Sequence, residues 1–311
     1  MAEGPGTTTK RFVFIAATAE SLPPEVQKYA MLWGYAVLAL LPVAVIVFSR
    51  LLWQIEHEGP RTRPDLFAMP ETLAICVVFG LIFFPIALAK IGGLFFPAAP
   101  KPPSLTETSA LTSITVPRLL ENMLTLSLPA VGILIIAKMR GGRIRDLFAA
   151  RRMSFFKAAG IGVGLAVLAL CLATLTKYIV MKVSGTQEPQ QKLVQSFESA
   201  LSGGNQGVVI AITFSAVVVA PICEEILFRG SLYPVLARVL GRGPSALLVS
   251  IVFALVHDTY SDAPSLAVLA LCFTIGYEFT GTLLVPIFMH SAFNALNLAQ
   301  QWVLTVSGSA G

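Results

Sequence analysis

An uncharged apolar run that ends at ionisable side chains is the feature that most constrains this chain. Residues 207–222 contain no charged side chain, and Glu224, Glu225 and Arg229 follow them directly. Such a run is typical of a membrane helix. Ionisable groups within membrane helices are rare, costly and usually functional, so we expect this stretch to carry a site.

The composition also indicates a membrane protein. Of the 311 residues, 55% are hydrophobic and 13% are charged, whereas a soluble domain carries about 25% charged residues. The mean hydropathy is +0.77. The sequence therefore predicts an all-α, polytopic protein of the lipid bilayer, with about eight transmembrane helices and an intramembrane cavity. The net charge of +5 is concentrated in short loops that orient membrane helices, so no nucleic-acid partner is expected.

Eight apolar segments are the predicted spans. They cover about 30–52, 71–95, 116–137, 155–180, 207–240, 244–257, 264–280 and 282–303. As one helix, the fifth segment would be about 51 Å long, which exceeds the hydrocarbon core of a bilayer. We therefore expect it to break, tilt or leave the membrane near Arg229 and Gly230. Gly160, Gly162 and Gly164 open the fourth span and allow close helix packing.

Polar stretches divide the chain into five parts. We predict an N-terminal polar tail at 1–29, about four transmembrane helices at 30–183, a polar linker at 184–206, a membrane core at 207–304 and a C-terminal tail at 305–311. Leu193, Phe197 and Leu201 recur every four residues in the linker, which indicates a short amphipathic helix. The basic segment 138–157 is predicted to be cytoplasmic.

Three pairs of core residues are spaced i, i+4, which places both members of a pair on one helix face. They are Glu225 with Arg229, Phe253 with His257, and His290 with Asn294. Glu225 and Arg229 form a self-neutralising pair in this interpretation. Glu224 is left without an obvious local partner.

Glu224 is therefore the candidate general base of a site shared by several helices. His257 would share the proton or hold a water molecule, and N–H groups of His290 and Asn294 would stabilise a developing oxyanion. Glu224, His257 and His290 could instead bind a divalent metal ion, although no HExxH pattern is present. These groups favour a hydrolase of amide bonds that activates water.

Each of these features also has a simpler interpretation. A single Glu–Arg pair is usually structural, a membrane histidine often only packs, and transporters also carry such groups at mid-membrane. We see no repeated halves of the kind that transporters have. His57 is expected to be a solvated loop residue and Glu278 to lie at the interface. The four cysteines lack CxxC spacing and are expected to be buried thiols.

The three motifs resemble those of the CPBP family of intramembrane proteases, also called the Abi family. This family includes the CAAX prenyl endopeptidases of the Ras-converting type. Its EExxxR, FxxxH and HxxxN motifs stand here at Glu224–Arg229, Phe253–His257 and His290–Asn294, in the same order. The resemblance covers about residues 207–303, and the first four spans match no family pattern.

The resemblance implies an intramembrane endopeptidase that cleaves a membrane-associated peptide or protein. The catalytic residues would be Glu224, His257, His290 and Asn294, supported by Glu225, Arg229 and Phe253. No cofactor would be required, with a zinc ion on Glu224, His257 and His290 as the metalloprotease alternative. A bacterial inner membrane and a site open to the cytoplasm are implied. The alternative function is a non-catalytic scaffold or a bacteriocin-immunity-type protein of the same family.

Overall fold

The computed structural model describes residues 24–58, 115–139, 148, 153–184, 192–257 and 262–308. Within these residues the secondary structure is helical, and they contain no strand. In chain order the helices are α1 (Pro24–Glu58), α2 (Val116–Met139), α3 (Phe155–Ser184), α4 (Lys192–Ser202), α5 (Gln206–Leu240), α6 (Arg242–Leu255), α7 (Ala263–Thr280) and α8 (Leu284–Gly308). The all-α prediction is confirmed for the described part of the chain.

Four of the described helices, α2, α3, α5 and α7, are long and apolar enough to cross a membrane. Helix α6 and the segment Ala39–Ile55 of α1 are apolar but shorter. The predicted number of eight spans is not confirmed, and the predicted second span, 71–95, lies outside the described residues. Because α1 continues to Glu58, His57 is an exposed helical residue, and its prediction as a loop residue is wrong.

Helix α5 does not break near Arg229 and Gly230. It contains two π-helical turns, Ser215–Val219 and Phe228–Leu232, joined by the α-helical stretch Ala220–Leu227. A proline, Pro221 or Pro234, stands two residues beyond each π turn. A proline within a helix has no N–H and its ring clashes with the carbonyl four residues earlier, and a π turn adds a residue that relieves this clash. The helix therefore accommodates both prolines and carries Glu224 and Glu225 between its two π turns.

Helix α3 precedes the predicted core but packs against α1, α7 and α8. Gly162 is the point of closest approach to α8. A Cβ atom at this position would lie 2.5 Å from the Cβ of Phe288 and 2.8 Å from the carbonyl oxygen of Val285. Of the three glycines that open α3, only Gly162 is buried in this way, since a Cβ at Gly160 or Gly164 would meet nothing within 4 Å. Residues 284–294 of α8 carry part of the site. The start of α8 is thus held in place by α3, a helix outside the predicted core.

Gly162→Ala is expected to destabilise the protein by about 1–3 kcal/mol, because the added methyl group overpacks the contact between α3 and α8. Gly160→Ala and Gly164→Ala are the matched controls, and each is expected to stabilise the helix by about 0.5–1 kcal/mol. Thermal unfolding of the three detergent-solubilised variants measures the difference. Equal shifts in Tm for all three would mean that close contact with α8 does not limit stability.

Helix α4 confirms the predicted helix in the polar linker and packs against α8 and the start of α5. Phe197 and Ala200 are buried, whereas Leu193 is 40% exposed. Gln301 of α8 donates a hydrogen bond to Glu198. The buried face of α4 is therefore centred on Phe197 and Ala200, with Leu193 at its edge.

The two turns that join α5 to α6 and α7 to α8 lie at one end of the molecule. Gly281 ends α7 in the left-handed conformation, with a φ of 68°, and its N–H donates to the carbonyl of Tyr277. The hydroxyl of Thr282 donates to the carbonyl of Phe148 at 2.6 Å. Arg242, the first residue of α6, reaches Glu278 in the last turn of α7. Phe148 belongs to the basic segment 138–157, so that segment contacts this end.

Candidate active site

Three of the predicted site residues converge from three helical segments. Glu224 on α5 lies with its Oε2 atom 4.0 Å from Nε2 of His257, just beyond α6, and 4.0 Å from Nε2 of His290 on α8. Groups at this separation are beyond direct hydrogen-bond distance but can share one bridging water molecule. The structure thus brings Glu224, His257 and His290 into one site.

The partners of the two Nδ1 atoms define the protonation of both rings. Nδ1 of His257 lies 2.7 Å from the carbonyl oxygen of Phe253, and a carbonyl can only accept, so this nitrogen carries a proton. Nδ1 of His290 lies 3.2 Å from Oε1 of Glu225, which is also bound by Arg229 and acts as an acceptor. In the neutral rings, both Nε2 atoms therefore carry a lone pair and face Glu224. With Nδ1 protonated, Nε2 of His290 can donate a hydrogen bond only when the ring is doubly protonated.

Arg229 is completely buried and each part of its guanidinium has a partner. Nη1 donates to Oε1 of Glu225 at 2.9 Å, Nη2 to the carbonyl of Ala270 at 2.7 Å, and Nε to the hydroxyl of Thr274 at 3.3 Å. The Glu225–Arg229 pair that the spacing predicts is therefore present. It also ties α5 to the middle of α7, which the spacing alone does not indicate.

Two phenylalanine rings enclose this charged cluster. The guanidinium of Arg229 lies 5.1 Å from the ring centre of Phe253 and 5.4 Å from that of Phe273, within the range of cation–π attraction. Phe253 also contacts the His257 ring, and Phe273 stacks on the His290 ring at 5.2 Å. Both rings restrict the orientation of the imidazoles, so Phe253 supports the site through packing and through its carbonyl.

Asn294 lies one helical turn beyond His290, and its amide binds a different part of α5. Its Nδ2 atom donates to the carbonyl oxygen of Ala216 at 2.7 Å. Ala216 belongs to the first π turn, Ser215–Val219. Asn294 thus connects α8 to that turn, and one of its two N–H groups is used in this contact.

The exposed fraction of the site side chains falls from one edge to the other. It is 26% for His257, 16% for Glu224, 5% for His290 and 0% for Glu225. Among the described residues, the Oε2 atoms of Glu224 and Glu225 are buried polar atoms without a hydrogen-bond partner. The site therefore opens on the His257 side, and Glu224 presents an unsatisfied acceptor between the two imidazoles.

Glu224, His257 and His290 offer donor types that zinc prefers, but their spacing does not fit a metal ion in this conformation. Ligands on tetrahedral zinc, at bond lengths of about 2.0–2.1 Å, lie about 3.3 Å from one another. The two carboxylate–imidazole separations here are both 4.0 Å. In the part of the chain that the structure describes, no three His, Cys, Asp or Glu residues form a group that could hold a metal ion.

A second buried carboxylate lies toward the end of α7. Glu278 is 5% exposed, accepts from the Tyr233 hydroxyl at 2.7 Å and pairs with Arg242 at 2.8 Å. The expectation of an interfacial residue, based on nearby Gly281, missed these partners. Tyr233 directly follows the second π turn of α5, so this cluster joins that turn to α6 and α7.

Several residues of the site carry no signal in the sequence. Thr274, Phe273 and the carbonyl groups of Ala216 and Ala270 become relevant only through contacts between helices. An apolar residue such as Ala216 contributes a backbone atom, which any residue type would supply. Pro221 and Pro234 do give a local signal in the sequence, because a proline within a helix marks a turn whose hydrogen bonding is disturbed.

Comparison with known proteins relates this core to a family of membrane proteases. Residues 206–296 match the family model of type II CAAX prenyl endopeptidases, described as Rce1-like. The match spans the three motifs and confirms the predicted relationship to the CPBP, or CAAX protease, family. No curated protein and no solved structure matches the chain.

The family match and the four apolar helices together indicate an integral membrane protein. Helices α1 to α4 lie outside the matched residues.

Proposed function

We propose that this chain is an intramembrane endopeptidase that hydrolyses peptide bonds of a membrane-associated peptide or protein. The observation that carries the proposal is the convergence of Oε2 of Glu224 with Nε2 of His257 and Nε2 of His290, each at 4.0 Å. A water molecule can lie within hydrogen-bond reach of Oε2 of Glu224 and of either Nε2 atom. A water that donates to the Glu224 carboxylate and to Nε2 of His257 is placed for general-base activation.

The proposed reaction has two proton transfers. Glu224 removes a proton from the water as its oxygen attacks the carbonyl carbon of the peptide bond, and His257 holds the water in line. Nε2 of doubly protonated His290 and the Asn294 amide donate to the oxyanion of the tetrahedral intermediate. The proton on Glu224 then passes to the leaving amine nitrogen as the C–N bond breaks. Glu225 and Arg229 hold His290 in place.

We further propose eight spans in a bacterial inner membrane, with the site nearer the cytoplasmic face. His290 lies six residues into α8, or about 9 Å along the helix from Leu284. Leu284 follows the turn whose Thr282 binds Phe148 of the basic segment. The basic segment is the part of the chain with the strongest cytoplasmic preference. These contacts place His290 toward the cytoplasmic end of α8, whereas His257 lies about 22 Å along α6 from Arg242, at the far end of that helix.

The function is tested with the purified full-length protein in liposomes and a library of membrane-anchored peptides. Wild-type protein is expected to produce defined fragments, detected by mass spectrometry, and Glu224→Ala protein none. Fragments that persist with Glu224→Ala would rule out the proposed site. A wild-type protein that binds peptides without cleaving them would favour the scaffold or immunity-type alternative.

Cleavage is expected to proceed without a metal ion, since the carboxylate and the imidazoles are spaced for a water molecule. Incubation with a strong zinc chelator should leave the rate of fragment formation within about twofold of the untreated rate. A zinc endopeptidase treated in parallel checks that the chelator acts in the detergent or lipid used. Loss of cleavage that returns on addition of zinc would instead assign Glu224, His257 and His290 as metal ligands.

A further inference from the structure

The carbonyl of Ala216 is bound by α8 and not by its own helix. In an α-helix it would accept from the N–H of Ala220, but that N–H donates to the carbonyl of Ser215. In a π turn it would accept from the next residue, which is Pro221 and has no N–H. Both intrahelical donors are thus lost at one carbonyl, and Nδ2 of Asn294 donates to it at 2.7 Å.

This contact is half-buried, and its acceptor residue lies inside the protein. Ala216 is 5% exposed, and the neighbouring apolar cluster includes Ile212 and Leu298, from α5 and α8. A buried carbonyl without a donor is costly, so the Asn294 amide is strongly favoured in this orientation. An amide has a rigid planar head, and fixing one N–H fixes the direction of the other N–H and of the carbonyl oxygen.

We propose that Pro221 is a positioning residue for Asn294. Because Pro221 has no N–H and a π turn precedes it, no N–H of α5 binds the Ala216 carbonyl, which is left to accept from the Asn294 amide. This contact sets the orientation of the amide beside His290. The hydrogen-bond arrangement stands on the structure alone, whereas its effect on catalysis rests on the proposed function. Any residue other than proline at this position would supply an N–H that competes with Asn294 for the carbonyl.

Pro234 provides a matched control within the same helix. It stands two residues beyond the second π turn, Phe228–Leu232, where the N–H of Tyr233 donates to the carbonyl of Phe228. Pro234→Ala therefore makes the same backbone change at the second π turn, whereas Asn294 binds the first. Its effects are expected to be independent of Asn294, whereas those of Pro221→Ala are expected to be coupled to it.

Thermal unfolding of the full-length protein tests the contact without any assay of activity. Asn294→Ala is expected to lower the Tm by about 3 °C in the wild-type and Pro234→Ala backgrounds, because the Ala216 carbonyl loses its donor. In the Pro221→Ala background the loss should be less than about 1 °C, since an intrahelical N–H then replaces the amide. The same loss in all three backgrounds would overturn the proposal. If Pro221→Ala does not fold, Pro221→Val takes its place, because valine also supplies a backbone N–H. If Asn294→Ala does not fold, Asn294→Asp takes its place, because aspartate also lacks the amide donor.

Cleavage kinetics test the catalytic consequence. Pro221→Ala is expected to lower kcat by about 10- to 100-fold with little change in KM, because the amide is no longer held in its productive direction. It should cause no further loss of kcat in the Asn294→Ala background, whereas Pro234→Ala should reduce kcat by the same factor in both backgrounds. Independent effects of Pro221 and Asn294 on kcat would overturn the positioning role. A wild-type protein without peptidase activity would contradict the proposed function, and the unfolding experiment would still decide the contact.

Discussion

Arg229→Ala is expected to cost about 3–5 kcal/mol of folding free energy, which is a large part of the roughly 5–15 kcal/mol that stabilises a typical protein. The guanidinium is completely buried, and so is Glu225, its partner at 2.9 Å. Removal of the arginine leaves the carboxylate as an uncompensated buried charge. It also removes the donor to the Thr274 hydroxyl and one donor to the carbonyl of Ala270, which still accepts from that hydroxyl. We therefore expect little folded protein after extraction, as measured by size-exclusion chromatography and thermal unfolding.

Arg238→Ala is the matched control, because Arg238 lies on the same helix but is exposed. Its effect on stability is expected to stay within about 0.5 kcal/mol of wild type. The double variant with Glu225→Gln and Arg229→Met removes both charges and should be more stable than Arg229→Ala alone. If Arg229→Ala and Arg238→Ala unfold at the same temperature, the buried pair does not contribute to the fold.

Glu224→Gln is expected to lower kcat by about a thousandfold while the fold is retained. Glutamine has almost the same shape as glutamate but cannot accept a proton from water at neutral pH. Glu224 is 16% exposed and its Oε2 atom has no hydrogen-bond partner among the described residues, so its replacement breaks no ion pair of the kind that holds Glu225. The Tm should therefore change little, and KM should change less than kcat.

Glu121→Gln serves as the control for Glu224→Gln, since Glu121 is an exposed glutamate on α2. It should match wild type in both Tm and kcat. A loss of less than tenfold for Glu224→Gln would contradict the role of general base, whatever the effect on binding.

The apolar helices of this chain are predictable from the sequence because lipid-facing and buried residues are both apolar. The predicted spans at 116–137 and 264–280 agree closely with α2 (Val116–Met139) and α7 (Ala263–Thr280). The continuity of α5 is less predictable, since Pro221 and Pro234 could break a helix or be absorbed by π turns. Tertiary packing decides between these outcomes, and it leaves no periodic pattern in the sequence.

The site is predictable in its polar side chains but not in its connections. Spacing identifies Glu225 with Arg229 and leaves Glu224 for His257 and His290, and these groups do meet. Spacing does not indicate that Nδ1 of His290 contacts Glu225, and this contact emerges only from the structure.

The contacts of Asn294 and Gly162 also cannot be predicted from the sequence. Asn294 binds the backbone of Ala216, and a backbone acceptor has no residue-type signature. Gly162 shares its local pattern with Gly160 and Gly164, and only the approach of α8 distinguishes it from them.

Peptide cleavage in water enriched in heavy oxygen (¹⁸O) tests the central claim most directly. Full-length protein in liposomes is supplied with a membrane-anchored peptide, and the new carboxyl terminus is analysed by mass spectrometry. Activation of water by Glu224 predicts one labelled oxygen in the fragment from wild-type protein and no fragment with Glu224→Gln. An unlabelled carboxyl terminus, or equal cleavage by Glu224→Gln, would contradict a site in which Glu224 activates water between His257 and His290.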